Sequence, residues 1–211
     1  MRYRLGGLVH VRHLGAALVM VIPLLIATWY FYDIVAMVQV DVHQLARFVG
    51  APELFGAVVA ALAPAVCVPA FDARERMAVN SARRLHTLVS AGIVLAPLLV
   101  LFMWYAAIRV EAPLQVLPPL HDFAGNFVLM GCVGLGSKLA FGTRWGPPAT
   151  LAACYGLLGL QQLWPASLLA TAFSTATRWN TNWSVAAAVY GTTVALDYML
   201  SSVPRHSARH S

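Results

Sequence analysis

Two side chains of opposite charge stand inside long apolar runs of this sequence: Lys138 in GCVGLGSKLAF and Asp197 in TTVALDYML. An ionisable group surrounded by hydrocarbon is costly, so each marks a site unless it is neutralised or led out to water. An ion pair between the two would neutralise both. Lys138 has a second escape, snorkelling along its own alkyl stem to an interface. Two roles are open for this pair: a contact that packs helices together, or a polar element that lines or gates a path.

Other chemistry finds little support. Of the seven histidines, His10, His13, His86, His206 and His210 fall on one side of the apolar runs, and His43 and His121 on the other. None lies in the middle of a run, which disfavours a bis-histidine haem. Asp41 with His43, and His121 with Asp122, read as polar loops rather than as metal ligands. Cys67, Cys132 and Cys154 all sit in apolar runs without CxxC spacing, so they are read as small buried hydrophobes. The stretch GCVGLGSK, residues 131–138, superficially suggests a phosphate loop but does not meet the GxxxxGK[ST] spacing. Its glycines are expected to let helices approach closely. The reading is therefore of a chain that is not an enzyme, with no catalytic residue, no metal site and no nucleotide site of its own.

The elements that must position these residues are membrane helices. Of the 211 residues, 60% are hydrophobic and only 10% are charged, against roughly 25% charged in soluble domains. Apolar runs of about 20 residues, the length that crosses a hydrocarbon core, recur along the chain. The expected fold is all-α: a single transmembrane domain over 1–211, with six spans at about 14–32, 53–71, 88–108, 123–141, 150–164 and 184–203. Lysine and arginine set the orientation. With the N-terminus in the cytoplasm, eleven of them fall inside (Lys138 and ten arginines) and three outside, at Arg47, Arg109 and Arg178. This positive-inside bias puts both termini in the cytoplasm of a multi-pass cell-membrane protein. The net charge of +6 is thus assigned to topology and not to nucleic acid. Six tryptophans near the span ends read as interfacial anchors rather than as a binding cage. Pro23, Pro64, Pro69 and Pro97 interrupt the first three spans, which suits kinked helices. Residues 165–183 are apolar but broken by Pro165 and a polar RWNTN end, and are read as a re-entrant or interfacial outer helix.

One inner loop is conspicuous. Residues 72–86, DARERMAVNSARRLH, carry Asp72, Arg74, Glu75, Arg76, Arg83 and Arg84 between two spans with almost no charge. They read as a short amphipathic helix, lying either on anionic lipid or against a cytoplasmic partner. The mixed signs favour the partner, since a lipid-binding patch has no need of acids. A short basic leading segment (RYRLGGLVHVRH), six spans and this charged loop resemble the membrane subunits of ABC exporters of the short six-helix type. FDARERMAVNSARRLHTL and GNFVLMGCVGLGSKLAFGTRWGPPATLAACYGLLGL are similar to stretches of the small actinobacterial members. The resemblance implies a permease that works as a dimer, with a second copy or a homologue. Its loop 72–86 would be the coupling helix gripped by a separate ABC-type ATPase, which holds the ATP and Mg. The cargo would be a lipid, a peptide or a hydrophobic small molecule. The competing expectation is an accessory subunit that scaffolds a membrane complex without a transport path.

Overall fold

The computed structural model describes residues 14–38, 47–67, 80–114, 119–163 and 183–200. These form helix α1 (Leu14–Tyr30), strands β1 (Val35–Val38) and β2 (Arg47–Gly50), and helices α2 (Ala51–Cys67), α3 (Asn80–Val94), α4 (Pro97–Glu111), α5 (Leu120–Leu163) and α6 (Trp183–Leu200). The chain is mostly helical. Two segments, His86–Glu111 and Phe123–Leu157, have the length and apolarity of membrane-crossing helices.

The first of these segments is a rod made from α3 and α4. Pro97 lacks the N–H that would close a bond to Ile93, so the regular i→i−4 ladder cannot continue through it. The turn tightens instead: Leu95 N–H donates to Gly92 O, Ala96 to Ile93 O, Leu98 to Leu95 O and Leu99 to Ala96 O, all at 3.0–3.1 Å. This 3₁₀ joint carries the chain across the proline without reversing it. The expected third span, 88–108, is therefore the middle of a longer rod. That rod starts at Asn80, inside the stretch read as a loop over 72–86.

The second segment folds back on itself. Within α5, Gly142 alone departs from helical geometry, with φ 76° and ψ −176°. A Cβ added at Gly146 would come within 2.9 Å of the Lys138 Cα, and Cys154 packs in one cluster with Met130. In a straight helix Met130 and Cys154 would stand about 36 Å apart. The two limbs, 120–141 and 143–163, thus form an antiparallel helical hairpin. The expected spans 123–141 and 150–164 correspond to these limbs, and the anticipated loop between them shrinks to one glycine. Pro147 and Pro148 stand in the second turn of the second limb, just past its four unpartnered N–H groups, so they forgo only the bonds to the carbonyls of Thr143 and Arg144.

Two glycines in the first limb let backbones meet. A Cβ at Gly131 would overlap the Val94 carbonyl, and one at Gly134 the Ala60 carbonyl. Helices α2 and α3 therefore lie directly on this limb, as the small-residue reading of GCVGLGSK required. The core is filled by Val59, Val100, Leu101 and Phe127 on one side of the limb, and by Val94, Cys132 and Leu135 on the other. Pro23 and Pro64 sit within continuous helices, so neither ends its element.

The all-α expectation needs one correction. β1 and β2 pair antiparallel, with Val35 opposite Gly50 and Val38 opposite Arg47, and Ala51 N–H donates to Ile34 O at 3.0 Å. Val35, Val38 and Val49 are β-branched residues that suit a pleated strand. The segment was read only as a link between apolar runs because four-residue strands are too short for a convincing alternation.

Candidate functional site

Three of the ionisable groups buried among the described residues, His86, Lys138 and Asp197, gather at one end of the bundle, with Ser90 beside them. His86 and Ser90 stand one turn apart on α3, Lys138 lies four residues before the Gly142 corner, and Asp197 is in the last turn of α6. All four are buried: His86 is 3% exposed, Ser90 0%, Lys138 9% and Asp197 2%. His86 Nε2 lies 3.4 Å from Asp197 Oδ2. Ser90 borders the same carboxylate, and the Lys138 ammonium acts on it electrostatically.

Local sequence explains this arrangement. Helical spacing of four puts His86 and Ser90 on one stripe of α3, facing α6. Tyr190, two turns back along α6, donates its hydroxyl to Ala91 O at 3.3 Å and sets the register of α6 against α3. Thr192 and Thr193 turn their hydroxyls onto the carbonyls of Ala188 and Val189 at 2.8 Å, so neither competes for the carboxylate. Gly146, pressed against the Lys138 backbone, holds the lysine in place from the second limb.

The contact is a loose one. An N–H···O bond is best near 2.9 Å, and 3.4 Å is well beyond that. Asp197 Oδ2 and Ser90 Oγ are both buried without a complete hydrogen bond. A buried carboxylate depends on such partners, because it has no water to fall back on.

Lys138 and Asp197, the two residues singled out by their apolar surroundings, are thus brought to one cluster. The direct partner of the carboxylate, however, is His86. The sequence alone places that residue at the edge of the inner loop, where a polar-loop reading hides its role. The signal that could have found it is the spacing H-x-x-x-S at the start of an apolar helix. Of the loop residues, Arg83 and Arg84 fall on α3, immediately before His86. Asp72, Arg74, Glu75 and Arg76 lie outside the described residues, as do Asp41, His43 and the segment 165–182. The three cysteines are buried and unbridged.

At the opposite end, Trp104 is held by neighbouring elements. Its Nε1 donates to Tyr32 O at 3.0 Å, and its ring meets Phe123 edge-on at 6.0 Å between centroids. Together with Glu53 it lines a cavity of about 200 Å³. Trp145 is 63% exposed, with Arg144 over its ring at 6.0 Å. Among the described residues, no cluster of three or more His, Cys, Asp or Glu could hold a metal. No family model, curated protein or solved structure matches the chain significantly.

Proposed function

We propose that this chain is the membrane-embedded permease subunit of an ATP-driven exporter, in which a separate ABC-type ATPase supplies the energy. The observation that carries the reading is the burial of His86 against Asp197. His86 lies on α3, at the end of the charged stretch 72–86, and Asp197 belongs to α6, the last of the described helices. A push on that loop cannot move α3 without dragging α6 or parting the pair. This is the linkage required of a subunit driven from outside.

In this reading all six apolar segments cross the cell membrane and both termini face the cytoplasm. The coupling loop offers Asp72, Arg74, Glu75, Arg76, Arg83 and Arg84 to the ATPase. ATP and Mg reside in that partner. The subunit acts as a dimer with a second copy or a homologue. The lipid, peptide or hydrophobic small molecule it carries passes between the two copies.

The close backbone contacts of Gly131 and Gly134 with Val94 and Ala60 favour a second reading, an accessory subunit that scaffolds a complex. Purification of the full-length chain in mild detergent separates the two. The exporter reading expects an ATPase to co-purify, to hydrolyse ATP faster in the complex, and to be lost with Arg76→Glu or Arg83→Glu. An absent ATPase, with every partner retained by those variants, overturns it.

A further inference from the structure

The end of the bundle away from the charged cluster holds a cavity that the exporter reading does not use. Its site is separated from Lys138 by the length of one α5 limb, about 22 Å from Phe123. We propose that this cavity binds an ammonium group carrying a short organic substituent, and that Glu53 and three aromatic rings recognise it.

Each wall has a definite origin. Glu53 lies in the first turn of α2 and is 4% exposed. Its Oε2 accepts the Gly50 N–H at 2.8 Å, which ties the carboxylate to the junction between β2 and α2 and fixes its position. Trp104 is fixed by its bond to Tyr32 O, and Phe123 by its edge-on contact with Trp104. Phe127, one turn further along α5, is 1% exposed and closes the floor with Leu101. Gly56 makes room for it, since a Cβ there would come within 2.7 Å of Phe127 Cε1.

The chemistry of these walls selects the ligand. A carboxylate set among rings favours positive charge, and aromatic faces attract cations through their quadrupole. Among such cations, a metal ion is a poor fit: hard divalent metals take six or more oxygen ligands, and one carboxylate does not supply them. An alkylated ammonium needs no such shell, because its methyl groups pack on the rings while its charge faces the carboxylate. Size agrees as well. A cavity of about 150 Å³ accepts benzene, with six heavy atoms. A cavity of about 200 Å³ therefore admits a head the size of choline. Two sources offer this chemistry at the end of a membrane bundle, a free amine and the headgroup of a choline lipid.

Equilibrium binding of choline to the full-length protein in detergent tests the site. Its uncharged isostere, neohexyl alcohol, serves as the comparison. Saturable choline binding is expected, with the alcohol roughly tenfold weaker or worse, the range of one desolvated cation–aromatic contact. Glu53→Gln keeps an oxygen for the Gly50 N–H and removes the charge, so it should weaken choline by about tenfold and leave the alcohol unchanged. Phe123→Leu should weaken choline without touching the carboxylate. Repeating the titration in nanodiscs identifies the source. Weaker apparent choline binding in phosphatidylcholine discs than in discs of an uncharged glycolipid assigns the site to the lipid headgroup; equal binding assigns it to a free amine. No saturable choline binding, or equal affinity for choline and the alcohol, overturns the proposal. So does choline affinity unchanged in a folded Glu53→Gln variant.

Discussion

Asp197 interacts with three partners of different kinds, and each predicts a different response to substitution. Removing one member of a buried charge cluster typically costs about 3–5 kcal/mol, because the charge left behind has no water to recover. Asp197→Asn should therefore lower the melting temperature in detergent sharply, and His86→Gln somewhat less. The double variant should be more stable than the sum of the singles predicts, with a coupling of about 0.5–3 kcal/mol. Additive losses would show that the 3.4 Å approach carries no energy. Lys138→Met keeps the stem and removes the charge, so it should be the mildest single change and should partly relieve Asp197→Asn. Asn126 behaves differently. It is 1% exposed, and among the described residues neither its Nδ2 nor its Oδ1 has a hydrogen-bond partner. An unmet buried polar group costs about 1–3 kcal/mol, which offsets the packing lost on truncation. Asn126→Ala is expected to leave the melting temperature unchanged or raise it, whereas a drop of several degrees would mean that the amide is satisfied. Lys138 and Asp197 were legible in the sequence because charge inside an apolar run is a strong signal. His86 was not, because a histidine at a run's edge looks like loop until the helix that carries it is known to begin six residues earlier, at Asn80.

At the scale of the elements, glycine decides which helices touch and where the chain turns. GCVGLGSK contains Gly131, Gly134 and Gly136, which look alike in the sequence but differ in the bundle. Gly131 and Gly134 face the carbonyls of Val94 and Ala60, while Gly136 has open space around its Cα. Backbone cannot yield as a side-chain tip does. Gly131→Ala and Gly134→Ala should therefore push α3 and α2 off the limb and destabilise the fold by several degrees or abolish it. Gly136→Ala should be neutral or stabilising by up to about 1 kcal/mol, through helix propensity alone. Equal effects at all three positions would refute the packing described. Gly142 makes a separate case. Its φ of 76° with ψ near 180° is a conformation open essentially to glycine alone, so Gly142→Ala should cost about 1–3 kcal/mol and loosen the hairpin corner. The existence of both limbs could be read from hydropathy. The one-residue corner could not, since a turn that tight depends on a single backbone angle and not on a run of turn-forming residues. The β1–β2 pair escaped for a similar reason, its four-residue strands carrying too little period to register.

For the whole molecule, the described helices alternate in direction between two ends. The cluster end holds His86, Lys138, Gly142 and Asp197; the cavity end holds Tyr32, Glu53, Trp104 and Phe123. From His86 to Glu111 the rod is 26 residues long, about 39 Å, close to the full thickness of a bilayer with its headgroups. Each end also sets an arginine over an aromatic ring, Arg144 on Trp145 and Arg109 on Tyr105, as expected of residues at a headgroup layer. If the rod crosses a membrane, the two ends face different compartments, and that is directly measurable. Leu114 is 97% exposed beyond the cavity end, and Thr143 is exposed beside the Gly142 corner. The native cysteines are all buried, so the background toward a bulky maleimide is low. In sealed right-side-out vesicles, Leu114→Cys should react with a membrane-impermeant maleimide and Thr143→Cys should not. In inverted vesicles the pattern should exchange. That outcome fits the positive-inside count, which sets the arginine-rich loops at the corner end and assigns the Glu53 cavity to the outside. The opposite pattern would keep the transmembrane rod but reverse the molecule, taking the charged loop 72–86 away from any cytoplasmic ATPase. Labelling of both positions from one side would remove the membrane crossing itself, and the exporter reading with it.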